Sequence, residues 1–168
     1  MNTQDSPHKF NSFSELLISF TEEMPKEPAL IYESSGAPAA MSREDFAAAV
    51  FERADQLRGS GKTCIGVLCD GSPECIITIF GAAVSHIQTV LLDESASDEL
   101  LREQIRQTDI DALFGSDEDL LFDLTPYLTE GLPRRNESGG GRILFFTSGT
   151  TSSSKAVVLT DQSLMAAA

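Results

Sequence analysis

The chain has 168 residues, of which 41% are hydrophobic and 23% charged, enough to form one core of ordinary size. Its 26 acidic residues outnumber 12 basic ones, and the net charge of −14 disfavours nucleic acid and anionic membrane surfaces as partners. The longest near-apolar run, residues 75–84, is about half of what a bilayer span requires, and the N-terminus lacks an apolar signal segment. We therefore expect a cytoplasmic protein without a membrane span.

The apolar residues recur in patterns that predict alternating helices and strands after a frayed segment at residues 1–11. Helices are expected over residues 13–24, 42–59, 72–85 and 97–107, with a partly helical segment over 116–127. Strands are expected over residues 29–32, 63–69, 87–92, 111–114, 142–147 and 156–160. This alternation predicts an α/β fold with a mostly parallel sheet flanked by helices.

Local signals support several of these elements. Ser72 is a good N-cap, Pro73 suits the first helical position, and Glu74 complements the positive end of the helix dipole. In the helix over 97–107, Leu101 and Ile105 are expected to face inward.

Cysteine and histidine are too few and too poorly spaced to indicate a structural zinc site. The three cysteines, Cys64, Cys69 and Cys75, include no Cys-x-x-Cys pair, and only His8 and His86 could add imidazole ligands. The thiols are expected to be buried small apolar groups in a reducing compartment.

Three other polar residues invite a functional interpretation but have simpler structural ones. Asp70 and Asp93 end predicted strands, where parallel sheets place ligand sites, yet turn and cap positions explain them. His86 is expected to be a structural residue at the end of a helix, because no Gly-x-Ser-x-Gly elbow supplies a serine for it to activate.

A hydroxyl-rich loop between two apolar strands is the strongest functional signal. Seven of the eight residues over 147–154 carry a hydroxyl, Gly149 allows a tight turn, and Lys155 closes the loop. Residues 134–155 also hold four basic residues against one acidic residue. Such a loop offers backbone N–H groups, O–H donors and a cation to a polyphosphate. A flexible Ser/Thr-rich segment without function is the simpler alternative.

A Walker-type phosphate loop does not fit this segment. Counted from Gly149, that pattern needs glycine at position 154 and serine or threonine at position 156, where the chain has Ser154 and Ala156. The second glycine and the magnesium-binding hydroxyl are both missing.

The segment instead resembles the phosphate-loop motif of the AMP-forming adenylating enzymes: acyl-CoA synthetases, firefly luciferase and the adenylation domains of nonribosomal peptide synthetases. The family pattern reads roughly Tyr/Phe-Thr-Ser-Gly-Thr-Thr-Gly-x-Pro-Lys-Gly-Val. The chain matches it from Phe146 to Thr151 and at Lys155 and Val157. It departs from the pattern at Ser152, Ser154 and Ala156, which replace glycine, proline and glycine.

Two weaker similarities to the family lie upstream in the same order. Residues 41–46, Met-Ser-Arg-Glu-Asp-Phe, are similar to the family's early Leu-Thr-Tyr-x-Glu-Leu helix start, and residues 69–74, Cys-Asp-Gly-Ser-Pro-Glu, to its Asn-Ser-Pro-Glu turn. Residues 83–93 follow, with Ser85 and His86 in place of small residues. The resemblance spans about residues 13–168, the first part of the family's large N-terminal domain.

The resemblance implies an ATP-dependent enzyme that forms an acyl-adenylate and pyrophosphate from a carboxylate. CoA or a carrier-protein thiol then accepts the acyl group, and the serine-rich loop is most similar to fatty-acyl-CoA synthetases. By this resemblance Lys155 is the catalytic residue, acting beside Mg²⁺. The nucleotide-binding residues implied are Thr147, Ser148, Gly149, Thr150, Thr151, Ser152 and Lys155.

The ending of the chain predicts a truncated domain. Residues 162–168 look like the opening of a helix without a closing signal, and the family's adenine, magnesium and ribose motifs lie further downstream. We therefore expect residues 12–168 to be an N-terminal fragment, inactive alone and able to self-associate through exposed apolar surface. Two alternatives stay open, a non-catalytic nucleotide-binding or protein-interaction module and a flavodoxin-like or receiver-type domain.

Overall fold

A five-stranded sheet forms the centre of the computed structural model, which describes residues 10–129, 142–147, 155–160 and 163–164. In chain order the strands are β1 (Pro28–Ser34), β2 (Ala37–Ser42), β3 (Cys64–Cys69), β4 (Gln88–Asp93), β5 (Ala112–Phe114), β6 (Arg142–Thr147) and β7 (Lys155–Thr160). The central sheet has the order β5-β3-β4-β6-β7, and β1 and β2 form a separate antiparallel hairpin. Among the described strands of the central sheet, β7 alone runs antiparallel to its neighbour.

Five helices surround the sheet in the described part of the chain. They are α1 (Phe13–Glu23), α2 (Arg43–Ser60), α3 (Pro73–Val84), α4 (Asp98–Gln107) and α5 (Glu118–Leu124), the last followed by a 3₁₀ turn over Thr125–Tyr127. The first four begin after a serine whose hydroxyl oxygen accepts a hydrogen bond from the backbone N–H three residues on, which satisfies one free donor of each helix. These N-caps are Ser12, Ser42, Ser72 and Ser97. The predicted helix start at Ser72 and Pro73 is confirmed.

The helices lie in two layers, one on each face of the sheet. Helices α1, α2 and α3 pack together around Val50 and Ala54, both 0% exposed, and cover one face. Helix α4 packs Leu101 and Ile105 against the other face, as the sequence predicts. With both faces covered, β3 is buried almost throughout, and the expected α/β fold with a mostly parallel sheet is confirmed.

One glycine permits the close approach of α2 and α3. A Cβ atom on Gly81 would lie 2.8 Å from Cγ of Arg53 and 3.3 Å from the backbone nitrogen of Ala54. Arg53 is held in place because it donates hydrogen bonds to Thr78 and Glu74. A larger residue at position 81 would therefore push the two helices apart.

The structure differs from the sequence-based expectation at two places, the β1–β2 hairpin and the end of α2. Strand β2 was not expected, because its sequence, Ala-Pro-Ala-Ala-Met-Ser, lacks β-branched residues and contains Pro38. The helix expected to stop at Gly59 continues to Ser60 and ends at Gly61, whose φ of 69° lies in the left-handed region.

Within the described residues, no helix is both long and apolar enough to cross a membrane. The expected frayed segment, apart from residues 10 and 11, and most of the helix expected after residue 161 fall outside the described residues.

Candidate functional site

Two of the predicted phosphate-binding residues lie at the ends of neighbouring strands. Thr147 ends β6, Lys155 begins β7, and the antiparallel register places them directly opposite each other. Both are exposed, and the Thr147 hydroxyl donates a 3.4 Å hydrogen bond to the carbonyl oxygen of Lys155. The pairing holds together the two ends of the hydroxyl-rich loop. The other predicted binding residues, Ser148, Gly149, Thr150, Thr151 and Ser152, lie outside the described residues.

The parallel strands bring Thr147 to the edge of the sheet where ligands usually bind. Strands β3 and β4 end together, with Cys69 opposite Asp93. On the other side of β4, Leu91 lies opposite Phe145, and continuing that register by two residues puts Thr147 level with Asp93. The carboxyl ends of three parallel strands therefore meet in one row beside the loop.

This edge also contains a topological switch point. The chain leaves β3 into α3 on one face of the sheet, but leaves β4 into α4 on the opposite face. Between two such strands the connections diverge and open a crevice, which is the usual ligand site of open α/β sheets.

A cavity of about 300 Å³ lies beside this point, at the carboxyl ends of β4 and β6 on the α4 side of the sheet. Its lining is largely apolar, with a thiol, a carboxylate and an amide added. The lining residues are Cys69, Leu91, Leu92, Asp93, Gln104, Phe145 and Phe146. The fold thus places a mixed apolar and polar cavity next to the predicted phosphate loop, in the size range of small-molecule sites.

Gln104 is the residue of this cavity that sequence reasoning missed. It is only 6% exposed, and its side-chain oxygen Oε1 has no hydrogen-bond partner in the structure. The available signal was its spacing: Gln104 lies three residues after Leu101 and one before Ile105, so it belongs to the inward stripe of α4.

The two strand-end aspartates have the turn roles that the sequence predicts. Asp93 accepts hydrogen bonds from the backbone N–H and the hydroxyl of Ser95, and these bonds lower the pKa of its carboxyl group. Asp70 accepts from the backbone N–H of Ser72. Partial burial opposes ionisation of Asp70, but hydrogen bonds from Ser72 outweigh it, so the pKa of Asp70 is also lowered. Both carboxylates add negative charge near the cavity, which disfavours a free anion there.

Two of the three cysteines lie at the same edge and influence each other's ionisation. The Cys69 thiol, at the end of β3, donates to the backbone carbonyl oxygen of Val67, and its interaction with Cys75 in the first turn of α3 raises the pKa of Cys69 and lowers that of Cys75. Cys64, at the opposite end of β3, is buried, and its burial raises its pKa to about 11. The expected burial is confirmed for Cys64 and Cys75, whereas Cys69 is half-buried and lines the cavity.

The fold is shared with adenylate-forming enzymes. O-succinylbenzoate coenzyme A synthetase (MenE) from Bacillus subtilis, solved in complex with AMP, superposes with a TM-score of 0.62 at 19% identity, over 86% of this chain and 41% of that chain. The N-terminal subdomain of NpsA from Klebsiella oxytoca gives 0.71 at 13% identity, over 94% and 44%. A long-chain-fatty-acid-CoA ligase from Archaeoglobus fulgidus gives 0.67 at 16% identity, over 92% and 38%.

These neighbours identify the architecture. The chain has the fold of part of the N-terminal subdomain of AMP-forming adenylation and acyl-CoA synthetase enzymes, and it spans less than half the length of each of these three structures. No protein-family model matches the sequence, and no curated protein matches it.

Proposed function

We propose that this chain is the N-terminal part of an AMP-forming acid–thiol ligase, with residues 12–168 in its large domain. The observation that carries the proposal is the pairing of Thr147 with Lys155 at the carboxyl edge of the sheet. It closes a hydroxyl-rich loop on a fold shared with MenE, which was solved with AMP bound.

The chemistry of the loop suits the phosphates of ATP. In adenylation, a carboxylate attacks the α-phosphate in line, and negative charge builds on the departing pyrophosphate. Lys155 begins β7 with an exposed ammonium group, and Thr147 adds a hydroxyl from the opposite strand. A fixed cation stabilises charge that develops during the reaction more than charge already present, so Lys155 acts mainly on the transition state. Ser148, Gly149, Thr150, Thr151 and Ser152 complete the proposed cradle.

The phosphates of the nucleotide are better candidates for Mg²⁺ ligands than the side chains of the described residues. No group of three histidine, cysteine or acidic side chains comes together in the part of the chain that the structure describes. Mg²⁺ is commonly held through substrate phosphates and a few protein oxygens rather than by an all-protein cage. We therefore assign no protein-made metal site to these residues.

We propose the carboxylic acid substrate and the thiol acceptor from the loop sequence and from the similar solved structures. The serine-rich loop and the likeness to the Archaeoglobus ligase favour a fatty acid, and the likeness to a coenzyme A synthetase favours CoA as the acceptor. NpsA has also been solved in an artificial fusion of its adenylation domain with a PCP domain, and a carrier thiol is therefore the other acceptor class that we propose.

The test is acid-dependent exchange of labelled pyrophosphate into ATP by the longer ligase. Lys155→Ala should lower the exchange rate by roughly 10²–10³-fold, the usual cost of removing one preorganised charge-stabilising group. Lys62→Ala is the matched control, because the Lys62 ammonium donates to the carbonyl of Asp111 at the opposite edge of the sheet. Unchanged exchange in Lys155→Ala would remove Lys155 from this role.

The chain by itself should show no exchange. By calorimetry we expect at most weak ATP binding to the 168 residues. Micromolar affinity would instead show that this part holds a complete nucleotide site.

A further inference from the structure

We propose that Cys69 and Cys75 form a redox-sensitive pair, which hydrogen peroxide oxidises to an intramolecular disulfide. The bond would join the end of β3 to the first turn of α3, at the carboxyl edge of the central sheet. Both thiols are free in this structure. The inference does not depend on the ligase proposal, because it rests on the β3–α3 turn rather than on the hydroxyl-rich loop.

The first argument is that both side chains lie on the same face of the sheet. Side chains alternate along β3, so Cys69 shares the α3 face with Val67, whereas Leu68 packs with α4. Cys75 belongs to the apolar cluster that contains Val67, and Cys69 packs against that cluster. The two cysteines therefore lie together in one small region of the core.

The second argument is the short turn that connects the two cysteines. Five residues separate them in the sequence. Ser72 donates its backbone N–H to Asp70 at 2.8 Å, and the Ser72 hydroxyl oxygen accepts the backbone N–H of Cys75 at 3.1 Å. Because these bonds already order the turn, closing it with a disulfide loses little further chain entropy.

The third argument is the difference in acidity between the two thiols. Interaction with Cys69 lowers the pKa of Cys75 despite its burial. The backbone of Asp70 and Gly71 adds to this lowering of the Cys75 pKa. The same pair interaction, together with burial, raises the pKa of Cys69. The thiolate is the nucleophile in thiol oxidation, so Cys75 is the attacking residue and Cys69 the resolving residue.

The third cysteine of the chain lacks these features. Cys64 begins β3, which puts it about 16 Å from Cys69 along the strand. It packs in the core on the α4 face of the sheet, and burial raises its pKa to about 11. Cys64 is therefore neither a partner for the pair nor a reactive thiol.

The oxidation balances in two steps. The Cys75 thiolate attacks one oxygen of hydrogen peroxide and the O–O bond breaks, which gives a sulfenic acid at Cys75 and a hydroxide that takes a proton from solvent. The Cys69 sulfur then attacks the sulfenic sulfur. The S–S bond forms, the S–O bond breaks, and the hydroxide leaves as water with the Cys69 proton. Two thiols thus lose two electrons, and one peroxide becomes two water molecules.

Access to the pair favours a small oxidant. Cys75 is 7% exposed and Cys69 is half-buried, so hydrogen peroxide reaches the sulfur atoms more readily than a bulky disulfide does.

The experiment treats the folded, reduced chain with hydrogen peroxide at neutral pH, blocks the remaining thiols with N-ethylmaleimide in denaturant, and measures the mass. We expect the loss of two hydrogen atoms and one remaining thiol, and dithiothreitol should restore all three thiols. Proteolysis after Glu74 cuts the chain between the two cysteines, so peptides that stay joined identify the Cys69–Cys75 bond.

The matched control is the same chain unfolded in urea. Cys64 and Cys69 are separated by nearly the same number of residues as Cys69 and Cys75, so the unfolded chain should form both bonds to a similar extent. In the folded chain the Cys69–Cys75 bond should exceed any bond to Cys64 by about fivefold or more.

Variants provide a second control. Cys64→Ala should keep the disulfide, and Cys75→Ser should abolish it. The comparison of the folded and unfolded chain needs no variant, so it stands even if a variant fails to fold.

Three results would overturn the proposal. The first is an unchanged mass of the folded chain after peroxide treatment, and the second is the same mixture of bonds in the folded and unfolded chain. The third is the gain of oxygen atoms at Cys69 or Cys75 without a disulfide, which would show that the two sulfur atoms do not reach each other.

Discussion

Thr147 and Lys155 lie opposite each other at the loop end of the β6–β7 hairpin, with the Thr147 hydroxyl bonded to the backbone of Lys155. Strand β6 is tied to β4 by parallel pairing, so the position of both residues is set by the sheet rather than by a loop alone. A site whose end residues are held this way places its charge with little reorganisation during a reaction.

Gly81→Ala should destabilise the chain by about 1–3 kcal/mol, because the added methyl overpacks the contact between α2 and α3. The methyl would meet Arg53 at 2.8 Å, and moving Arg53 would disturb its bonds to Thr78 and Glu74. Gly59→Ala is the control, since a Cβ there meets no atom within 4 Å and helix propensity favours alanine. Urea unfolding measures the free energy of unfolding of both variants. Equal stability of Gly81→Ala and the unaltered chain would contradict the close contact between α2 and α3.

Gln104→Leu should raise the free energy of unfolding by about 1 kcal/mol. The substitution removes an unpaired buried oxygen while keeping a side chain of similar size next to Leu101 and Ile105. Gln107→Leu, four-fifths of a turn further along and exposed, should change stability by less than about 0.5 kcal/mol. A clear loss of stability in Gln104→Leu would show that the amide oxygen is already satisfied.

Stability should rise as the pH increases towards 9.0, because the interaction with Cys69 lowers the pKa of Cys75 below its ordinary 9.0 in the folded chain. Just below pH 9.0 the unfolded chain therefore holds a proton that the folded chain has already lost. The contribution is present above the unfolded pKa and disappears as the pH falls through the folded one. Chemical unfolding at a series of pH values in reductant measures it.

Above pH 9.0 the opposite effect should come from Cys64, whose pKa is raised to about 11 by burial, and from Cys69, whose pKa is also raised. The unfolded chain releases these protons first, so stability is lost as the pH rises above 9.0. Cys75→Ala should remove the rise below pH 9.0, and Cys64→Ala should weaken the fall above it. A stability curve unaffected by either substitution would contradict these environments.

The sequence predicts local elements well where a short-range cause sets them. The start of α3 follows from Ser72 and Pro73, and the inward side of α4 follows from Leu101 and Ile105, both 0% exposed. These features depend on capping and on helical spacing, which are visible in a few consecutive residues.

The features that the sequence did not predict depend on distant parts of the chain. Strand β2 forms because β1 offers it a partner, despite a sequence poor in β-formers. The cavity depends on the strand order, which places the ends of β3, β4 and β6 side by side although they are far apart in sequence. Gln104 lines the cavity only because of that arrangement.

The most direct test of the phosphate-binding role is an NMR titration of the chain with pyrophosphate at low salt. The account predicts weak binding, with amide shifts concentrated at Thr147, Lys155 and the residues between them. Lys155→Met should abolish these shifts, while Lys62→Met, at the opposite edge of the sheet, should leave them unchanged. Shifts confined to other helix starts, or an unaltered response in Lys155→Met, would contradict the account.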